Sequence, residues 1–268
     1  MGHLCCLGGK DQVIAEVALK LAEALGVVSL HHATEQIVTN HDALKRALSS
    51  YVLFRSRNIR VSMSQLLSFK IGEKYLLVQS ARRPQLTPIG GAVRYFQSET
   101  PNLEGSVRFR SEFTKGPEKY DLRGFINGRD FVRFLRWYAS SSGREQLALA
   151  REIEEEFIEA GIPAIKEHVR RPEFVIDRAV HEGPDELENE GYWQYRYLEV
   201  LRLREDSDVS KQLSDFIRVQ TKNNPKFVLV TTSEIKKGRT NDGKHHIGDS
   251  CGYLFSDQRH GVKPPPLF

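Results

Sequence analysis

The sequence has few cysteines and no long apolar segment, and each shortage excludes a class of protein. Its 268 residues include three cysteines, two of them adjacent as Cys5 and Cys6, which gives neither a disulfide framework nor the ligand spacing of a zinc site. No apolar run approaches the roughly 18–20 residues that span a bilayer. The N-terminus also lacks a basic-then-apolar signal pattern. We therefore expect a cytoplasmic protein with no membrane partner.

Lysine is absent from the most acidic stretch of the chain, GREQLALAREIEEEFIEAG over 143–161. At 100° per residue, five glutamates fall within about 100° of arc on one helical face, namely Glu145, Glu152, Glu155, Glu156 and Glu159. The opposite side carries an apolar stripe of Leu147, Ala150, Ile153 and Phe157. Like charges four residues apart repel each other on a helix. Selection for stability alone would not produce this pattern, although a solvated surface remains the alternative.

The order of residues within this stretch favours a function. Residues 151–156 read R-E-U-x-E-E, with U an aliphatic residue, which resembles the centre of the Nudix box. The glutamates of that box hold Mg²⁺ or Mn²⁺ for pyrophosphate hydrolysis, and hard cations prefer carboxylate oxygens. The resemblance implies Glu152, Glu155 and Glu156 as metal ligands and, together with Arg151, as catalytic residues. Glu145 and Glu159 are candidates for a supporting role. Where the box has flanking glycines, this chain has Trp137 and Ile158.

A second motif lies upstream, at Pro88-Ile89-Gly90-Gly91. Nudix proteins carry a proline and paired glycines ahead of the box, where the backbone approaches the substrate closely. The resemblance implies substrate contacts at Gly90 and Gly91. Three arginines flank the motif, Arg82, Arg83 and Arg94, and such arginine forks suit phosphate oxygens. The alternative is that they only keep an edge strand soluble.

The wider pattern is similar to the SMODS-associated Nudix-like group, which is found beside nucleotide-second-messenger immunity genes in bacteria. The similarity rests on YVLFR at 51–55, KYLLV at 74–78, PIGG at 88–91, DLR at 121–123, FLRWY at 134–138 and GRE at 143–145. It implies an α/β class, a Nudix-like α/β/α sandwich with a mixed sheet. We expect an N-terminal helical extension over 1–50, a Nudix-like domain over 51–255, and a loose tail over 256–268. A long insert at about 97–142 precedes the Nudix helix.

Charge is distributed unevenly along the chain. Residues 51–136 carry sixteen Lys and Arg against seven Asp and Glu, whereas 137–161 carry two against six. Arginines that hold phosphates beside carboxylates that hold a cation suit a metal–polyphosphate site. Basic residues also suit nucleic acid, but the interleaved aromatic residues of RNA-binding motifs are missing, so nucleic acid is not the expected main partner.

These observations predict a metal-dependent Nudix-type hydrolase. It would act on a nucleoside triphosphate or a nucleoside diphosphate derivative, in an antiphage defence context, with Mg²⁺ or Mn²⁺ as cofactor. The alternative is a catalytically weak sensor that binds a nucleotide second messenger and signals to a partner. The predicted N-terminal helices would serve as a dimerisation arm for a homodimer, as a cap, or as a remnant of something larger.

Overall fold

The computed structural model describes residues 55–79, 85–140, 142–169, 172–187 and 190–260. Three predictions lie outside these ranges: the helical extension over 1–50 with its dimer surface, the positions of Arg82 and Arg83, and the tail beyond residue 260. No helix in the described ranges is long and apolar enough to cross a membrane.

The chain forms two mixed sheets and five α-helices within these ranges. The strands are β1 (Asn58–Leu67), β2 (Lys70–Ile71), β3 (Lys74–Gln79), β4 (Gln85–Thr87), β5 (Gly90–Ala92), β6 (Arg110–Ser111), β7 (Arg123–Asn127), β8 (Phe174–Glu186), β9 (Trp193–Leu203), β10 (Phe227–Thr231) and β11 (His246–Ile247). The helices are α1 (Phe131–Ser140), α2 (Ala148–Glu159), α3 (Ile165–Val169), α4 (Asp208–Thr221) and α5 (Thr232–Lys237).

The larger sheet has the order β6-β7-β1-β9-β8, with β5 also paired to β1. Its central pair, β1 and β9, is parallel, and the other pairs are antiparallel. The smaller sheet has the order β10-β3-β4-β11, with β2 beside β3, and its β4 and β11 are parallel. The predicted α/β class is confirmed, with two mixed sheets in place of the one expected.

The segment expected to insert before the Nudix helix is largely structured. It supplies β6 and β7, which extend the larger sheet beyond β1, and the helix α1. Phe131 and Phe134 of α1 are fully buried, in the same cluster as Ile59 and Val61 of β1. Burial of side chains of this kind contributes about 1.5–3 kcal/mol each, so the segment is packed into the fold around the site.

The chain changes sheets at Ser68 and Phe69. The alternation of residues 59–71 predicts a hairpin with 74–79, but only Lys70 and Ile71 pair with β3. The Ser68 amide donates to the Leu201 carbonyl of the larger sheet at 2.8 Å, whereas the Phe69 carbonyl accepts from the Leu76 amide of the smaller sheet at 2.9 Å. The hairpin prediction is therefore wrong for β1.

Helix α2 carries the acidic motif and spans both sheets with its apolar side. Leu149, Ile153 and Phe157 are fully buried, in one cluster with Leu67 and Leu201 of the larger sheet and with Leu76, Val78 and Phe227 of the smaller. The predicted stripe is corrected at its start: Leu147 is 42% exposed, and Ala148 and Leu149 are buried instead. Since the helix begins at Ala148, Glu145 is not on a helical face as predicted.

Candidate functional site

Arg151 is the centre of the acidic site. Its guanidinium donates to Glu145 through Nε at 3.1 Å and Nη2 at 3.2 Å, and to Glu152 Oε1 through Nη1 at 2.6 Å. Nη2 also donates to the Ala92 carbonyl at 3.0 Å, which ties the helix to β5. Burial alone lowers the pKa of Arg151, but hydrogen bonds and charges from Glu145 and Glu152 outweigh it and raise the pKa. Arg151 therefore stays charged and fixes the carboxylates around it.

Glu152 lies directly against the backbone of Gly91. A Cβ at residue 91 would fall 2.2 Å from Glu152 Oε1 and 2.3 Å from its Cδ. The close approach thus requires glycine at this position. The Glu152 side chain is 16% exposed, and its burial raises the pKa of the carboxyl against the opposing charge of Arg151. Strand β5 and helix α2 together make a tight recess for one carboxylate.

Gly90, the preceding residue, has a different requirement. Its φ of 156° lies outside the usual range of side-chain-bearing residues, and an added Cβ would fall 2.2 Å from the Gln65 carbonyl oxygen of β1. Gly90 therefore allows β5 to pair with β1, whereas Gly91 makes room for Glu152. Of the two predicted glycines, Gly90 is needed for strand pairing and Gly91 for the site.

Arg94 borders the site on the side of Glu155. Its Nη1 lies 3.9 Å from Glu155 Oε1, its Nε donates to Asp121 Oδ1 at 3.2 Å, and its amide donates to Glu145 Oε2 at 3.0 Å. Asp121 also pairs with Arg123. The Glu155 side chain is 48% exposed, so it is the most accessible of the three predicted ligands.

Glu156 faces a different cation. Lys226, at the entrance to β10, lies 3.0 Å from Glu156 Oε2 and 3.1 Å from Glu159 Oε2, and it also donates to the Glu156 carbonyl at 3.3 Å. The Lys226 side chain is 17% exposed. This partly buried lysine relieves the repulsion between carboxylates on the last turns of α2, which the sequence of the helix alone leaves uncompensated.

The N-terminus of α2 is capped from another strand. Gln65 of β1 accepts from the Leu149 amide through Oε1 at 3.1 Å and donates from Nε2 to Glu199 Oε2 at 2.8 Å and to the Gln146 carbonyl at 3.0 Å. No side chain at Leu147, the residue before the helix, supplies this cap. Gln65 and Glu199 are both buried, so a tertiary network sets the position of the acidic helix.

The chemistry of these side chains suits a divalent cation that prefers oxygen ligands. The Glu152 carboxylate lies beside the Gly91 backbone, in the space that a Cβ at residue 91 would occupy. Within the described part of the chain, however, no group of three or more His, Cys, Asp and Glu side chains is gathered so that it could hold a metal ion. Glu152 faces Arg151, and Glu156 faces Lys226. The types of donor atom therefore suit a divalent cation, but in this structure the carboxylates face cations of the protein itself.

The structure brings most of the predicted site together. Arg151, Glu152, Glu155, Gly91 and Arg94 share one face, Glu156 lies toward Lys226, and Arg82 and Arg83 fall outside the described residues. Sequence reasoning missed the contributions of Gln65, Glu199 and Lys226, which lie far from the motif along the chain and carry no local pattern. Asp121 was noted only within the DLR motif at 121–123, with no role in the site. Glu145 was named as a supporting residue because it lies in the same acidic stretch.

The family model of the SMODS-associated NUDIX domain matches residues 58–255. The matched segment begins with β1 and includes both sheets and α2, and therefore every residue of the site just described. Searches among curated proteins and among solved structures returned no match.

Proposed function

The chain belongs to the SMODS-associated NUDIX domain family, and we propose that it is a cytoplasmic, metal-dependent pyrophosphohydrolase. Its substrate would be a nucleoside triphosphate or a nucleoside diphosphate derivative, and its setting a bacterial antiphage system. The observation that carries the proposal is the arrangement of Arg151, Glu152 and Gly91. Arg151 is bound by two carboxylates, and one of them, Glu152, lies in the recess beside Gly91, so the motif side chains are held in a fixed arrangement that suits catalysis.

A divalent cation, Mg²⁺ or Mn²⁺, would be held by Glu152, Glu155 and Glu156. When bound, such a cation lowers the pKa of water and neutralises charge on phosphate oxygens. The chain's own residues orient the reaction around it. Arg151 keeps Glu152 in place against Gly91, whose missing side chain makes room for that carboxylate.

We assign phosphate binding to Arg94 and acceptance of a proton to Glu155. Arg94 lies at the border of the site with its guanidinium partly exposed, and its planar fork suits two phosphate oxygens. Glu155 is the most solvent-accessible of the three carboxylates. We assign its carboxylate oxygens to accept the proton of the attacking water, because a group that exchanges protons with water benefits from access to it.

One observation favours the second candidate, a nucleotide sensor. Arg151 already pairs with Glu152, and Lys226 already pairs with Glu156. A site whose charges the protein neutralises by itself can bind a ligand without a cation and without turnover. The two candidates therefore differ in whether nucleotide binding requires a divalent ion.

A metal-dependent screen tests the proposal. The purified protein is incubated with Mg²⁺ or Mn²⁺, or with EDTA, and products are followed by mass spectrometry. The panel holds nucleoside triphosphates, deaminated triphosphates, ADP-ribose, NAD and cyclic oligonucleotides. We expect cleavage of a phosphoanhydride bond that EDTA abolishes. Binding of a panel member without cleavage, measured by calorimetry, would support the sensor instead.

Three glutamine variants of the same helix make the test specific. Glu152→Gln and Glu155→Gln should each lower kcat/KM by at least about a hundredfold, because charge stabilisation and nucleophile activation depend on the same carboxylates. Glu154→Gln is the matched control, since Glu154 pairs with Lys166 and takes no part in the contacts of Arg151. Near-normal turnover in both site variants would place the chemistry elsewhere.

A further inference from the structure

A concave surface lies apart from the acidic site. It is a groove of about 870 Å³ between the end of β1, strands β8 and β9, helix α4 and the turn at Leu254 and Phe255. It shares no lining residue with the site around Arg151. Six cations line it, namely Lys70, Arg178, Arg202, Arg204, Lys211 and Arg218. Three carboxylates line it as well, those of Asp177, Glu205 and Asp215, so the groove carries an excess of positive charge.

Two of the cations are not committed to a carboxylate within the described residues. The Lys70 ammonium lies over the Tyr75 ring at 4.6 Å from its centroid, and Arg218 Nε donates to Ser214 Oγ at 3.4 Å. Both residues are exposed and both belong to the groove lining. They come from different elements, β2 and α4. Their charges are therefore available to a ligand from two sides of the groove.

Two further arginines hold their acidic partners loosely. Arg202 lies 3.9 Å from Asp177 and 3.7 Å from Glu205. Arg178 lies 3.6 Å from Asp177 and 3.9 Å from Asp257, and its buried Nε has no hydrogen-bond partner. These distances exceed those of hydrogen-bonded ion pairs, so neither guanidinium is held tightly by its carboxylates.

The floor of the groove differs from its walls. It includes Phe69, Leu203, Leu254 and Phe255, so apolar surface lies beside the guanidinium groups. Ligand sites of small molecules occupy about 300–1,000 Å³ and combine apolar surface with a few polar groups. Two uncommitted cations and two loosely paired arginines on four elements exceed what a single phosphate needs.

We propose that this groove is a second ligand site, for a small molecule that carries at least two phosphate groups joined to an apolar or aromatic moiety. The cations at Lys70, Arg178, Arg202 and Arg218 bind the phosphates, and the floor packs against the organic part. Arginine forks match pairs of phosphate oxygens. This site does not depend on the proposed hydrolase activity, because its residues are separate from the acidic helix.

The test uses ADP as probe and the full chain in EDTA, with binding measured by calorimetry. The double variant Lys70→Ala/Arg218→Ala should weaken ADP binding at least tenfold. The matched control is Arg239→Ala/Lys244→Ala, which also removes one arginine and one lysine, both exposed and outside the groove. This control should bind ADP as the wild type does. Adenosine, which has the ring without the phosphates, should bind at least tenfold more weakly than ADP.

Hydrogen exchange locates the bound probe independently of any substitution. ADP should slow amide exchange at the end of β9 and in α4, which line the groove. Protection confined to α2 and β5 would overturn the proposal, as would an undiminished affinity in the Lys70→Ala/Arg218→Ala variant or no binding at millimolar ADP. Tighter binding of a single-stranded oligonucleotide than of ADP, lost in the same double variant, would make the groove a nucleic-acid surface and overturn it too.

Discussion

Arg151 binds Glu145 with a two-pronged hydrogen bond, Nε to Oε1 at 3.1 Å and Nη2 to Oε2 at 3.2 Å. Glu145 precedes the helix that carries Arg151, and the same carboxylate accepts from the Arg94 amide at 3.0 Å. One side chain therefore joins the acidic helix to the strand segment after the paired glycines. This link holds together the two motifs from which the site is built.

Replacing Glu145 tests that link. Glu145→Gln removes the charge from two hydrogen bonds to a guanidinium that is 19% exposed. It should lower the free energy of unfolding by about 1.5–3 kcal/mol, the range for hydrogen bonds to charged groups. Urea unfolding monitors the change. Glu154→Gln, on an exposed pair with Lys166, should stay within about 0.5 kcal/mol of the wild type. Equal losses in the two variants would contradict a special role for Glu145.

Gly91→Ala should damage the site more than the fold. The new Cβ would collide with the end of the Glu152 side chain, at 2.2 Å from Oε1, and that side chain can rotate away. We expect kcat/KM on the substrate from the screen to fall at least about tenfold, with a small change in melting temperature.

Two other glycines serve as controls for that result. Gly90→Ala should destabilise the fold itself, because its Cβ would meet the backbone of β1 and its φ is 156°. Gly105→Ala should change neither quantity, since a Cβ there meets nothing within 4 Å. A Gly91→Ala protein with full activity would show that the recess for Glu152 has no part in turnover.

Arg94→Ala should raise KM by about tenfold and change kcat less, which is the pattern for an interaction shared by bound substrate and transition state. Arg239→Ala, at an exposed arginine outside the site, should leave both constants unchanged. Added salt should partly reproduce the increase in KM by screening exposed charge. If kcat falls and KM does not change, Arg94 acts on Glu155, 3.9 Å away, and not on the substrate. Arg82→Ala and Arg83→Ala stay predictions of the same kind, at positions outside the described residues.

Glu234→Gln should give a stability difference that depends on pH. Burial raises the pKa of Glu234, but hydrogen bonds from the Thr231 and Asn241 amides and from the Thr231 hydroxyl outweigh it, so the pKa lies below the usual value. A carboxyl with a lowered pKa stabilises the fold above its unfolded pKa and loses that effect as pH falls through the folded value.

The wild type should therefore exceed Glu234→Gln in unfolding free energy by about 1–2 kcal/mol at pH 7. The difference should shrink as the pH falls from the ordinary pKa of glutamate through the lowered pKa of the folded-state carboxyl, because protonation then removes its charge. Urea unfolding at a series of pH values measures it. Glu234 caps α5 by accepting from the amide of Thr231, the residue before the helix. A difference that stays constant from pH 7 to the acid limit would refute a role for the charge of this carboxylate.

Local periodicity predicts several elements well, because the pattern of burial is written into consecutive residues. The alternation over Trp193–Leu203 predicts a long strand, and β9 has those bounds. The stripe through Ile153 and Phe157 predicts the helix α2 and its buried side. The predicted hairpin over 59–79 is wrong because strands pair with partners from distant parts of the chain. Strand β1 pairs with β9 and β7, and the residues between 59 and 79 carry no information about those strands.

The carboxylates, their helical spacing and the paired glycines can be predicted from the chain alone, because they depend on residue identity and backbone geometry. The cation that each carboxylate faces, Arg151 for Glu152 and Lys226 for Glu156, is set by the fold. The fold also decides that Gln65, more than eighty residues away from Leu149, caps the acidic helix. The physical reason is that charges and hydrogen-bonding groups bind whatever the fold places within about 3 Å of them, and that distance has no counterpart along the chain.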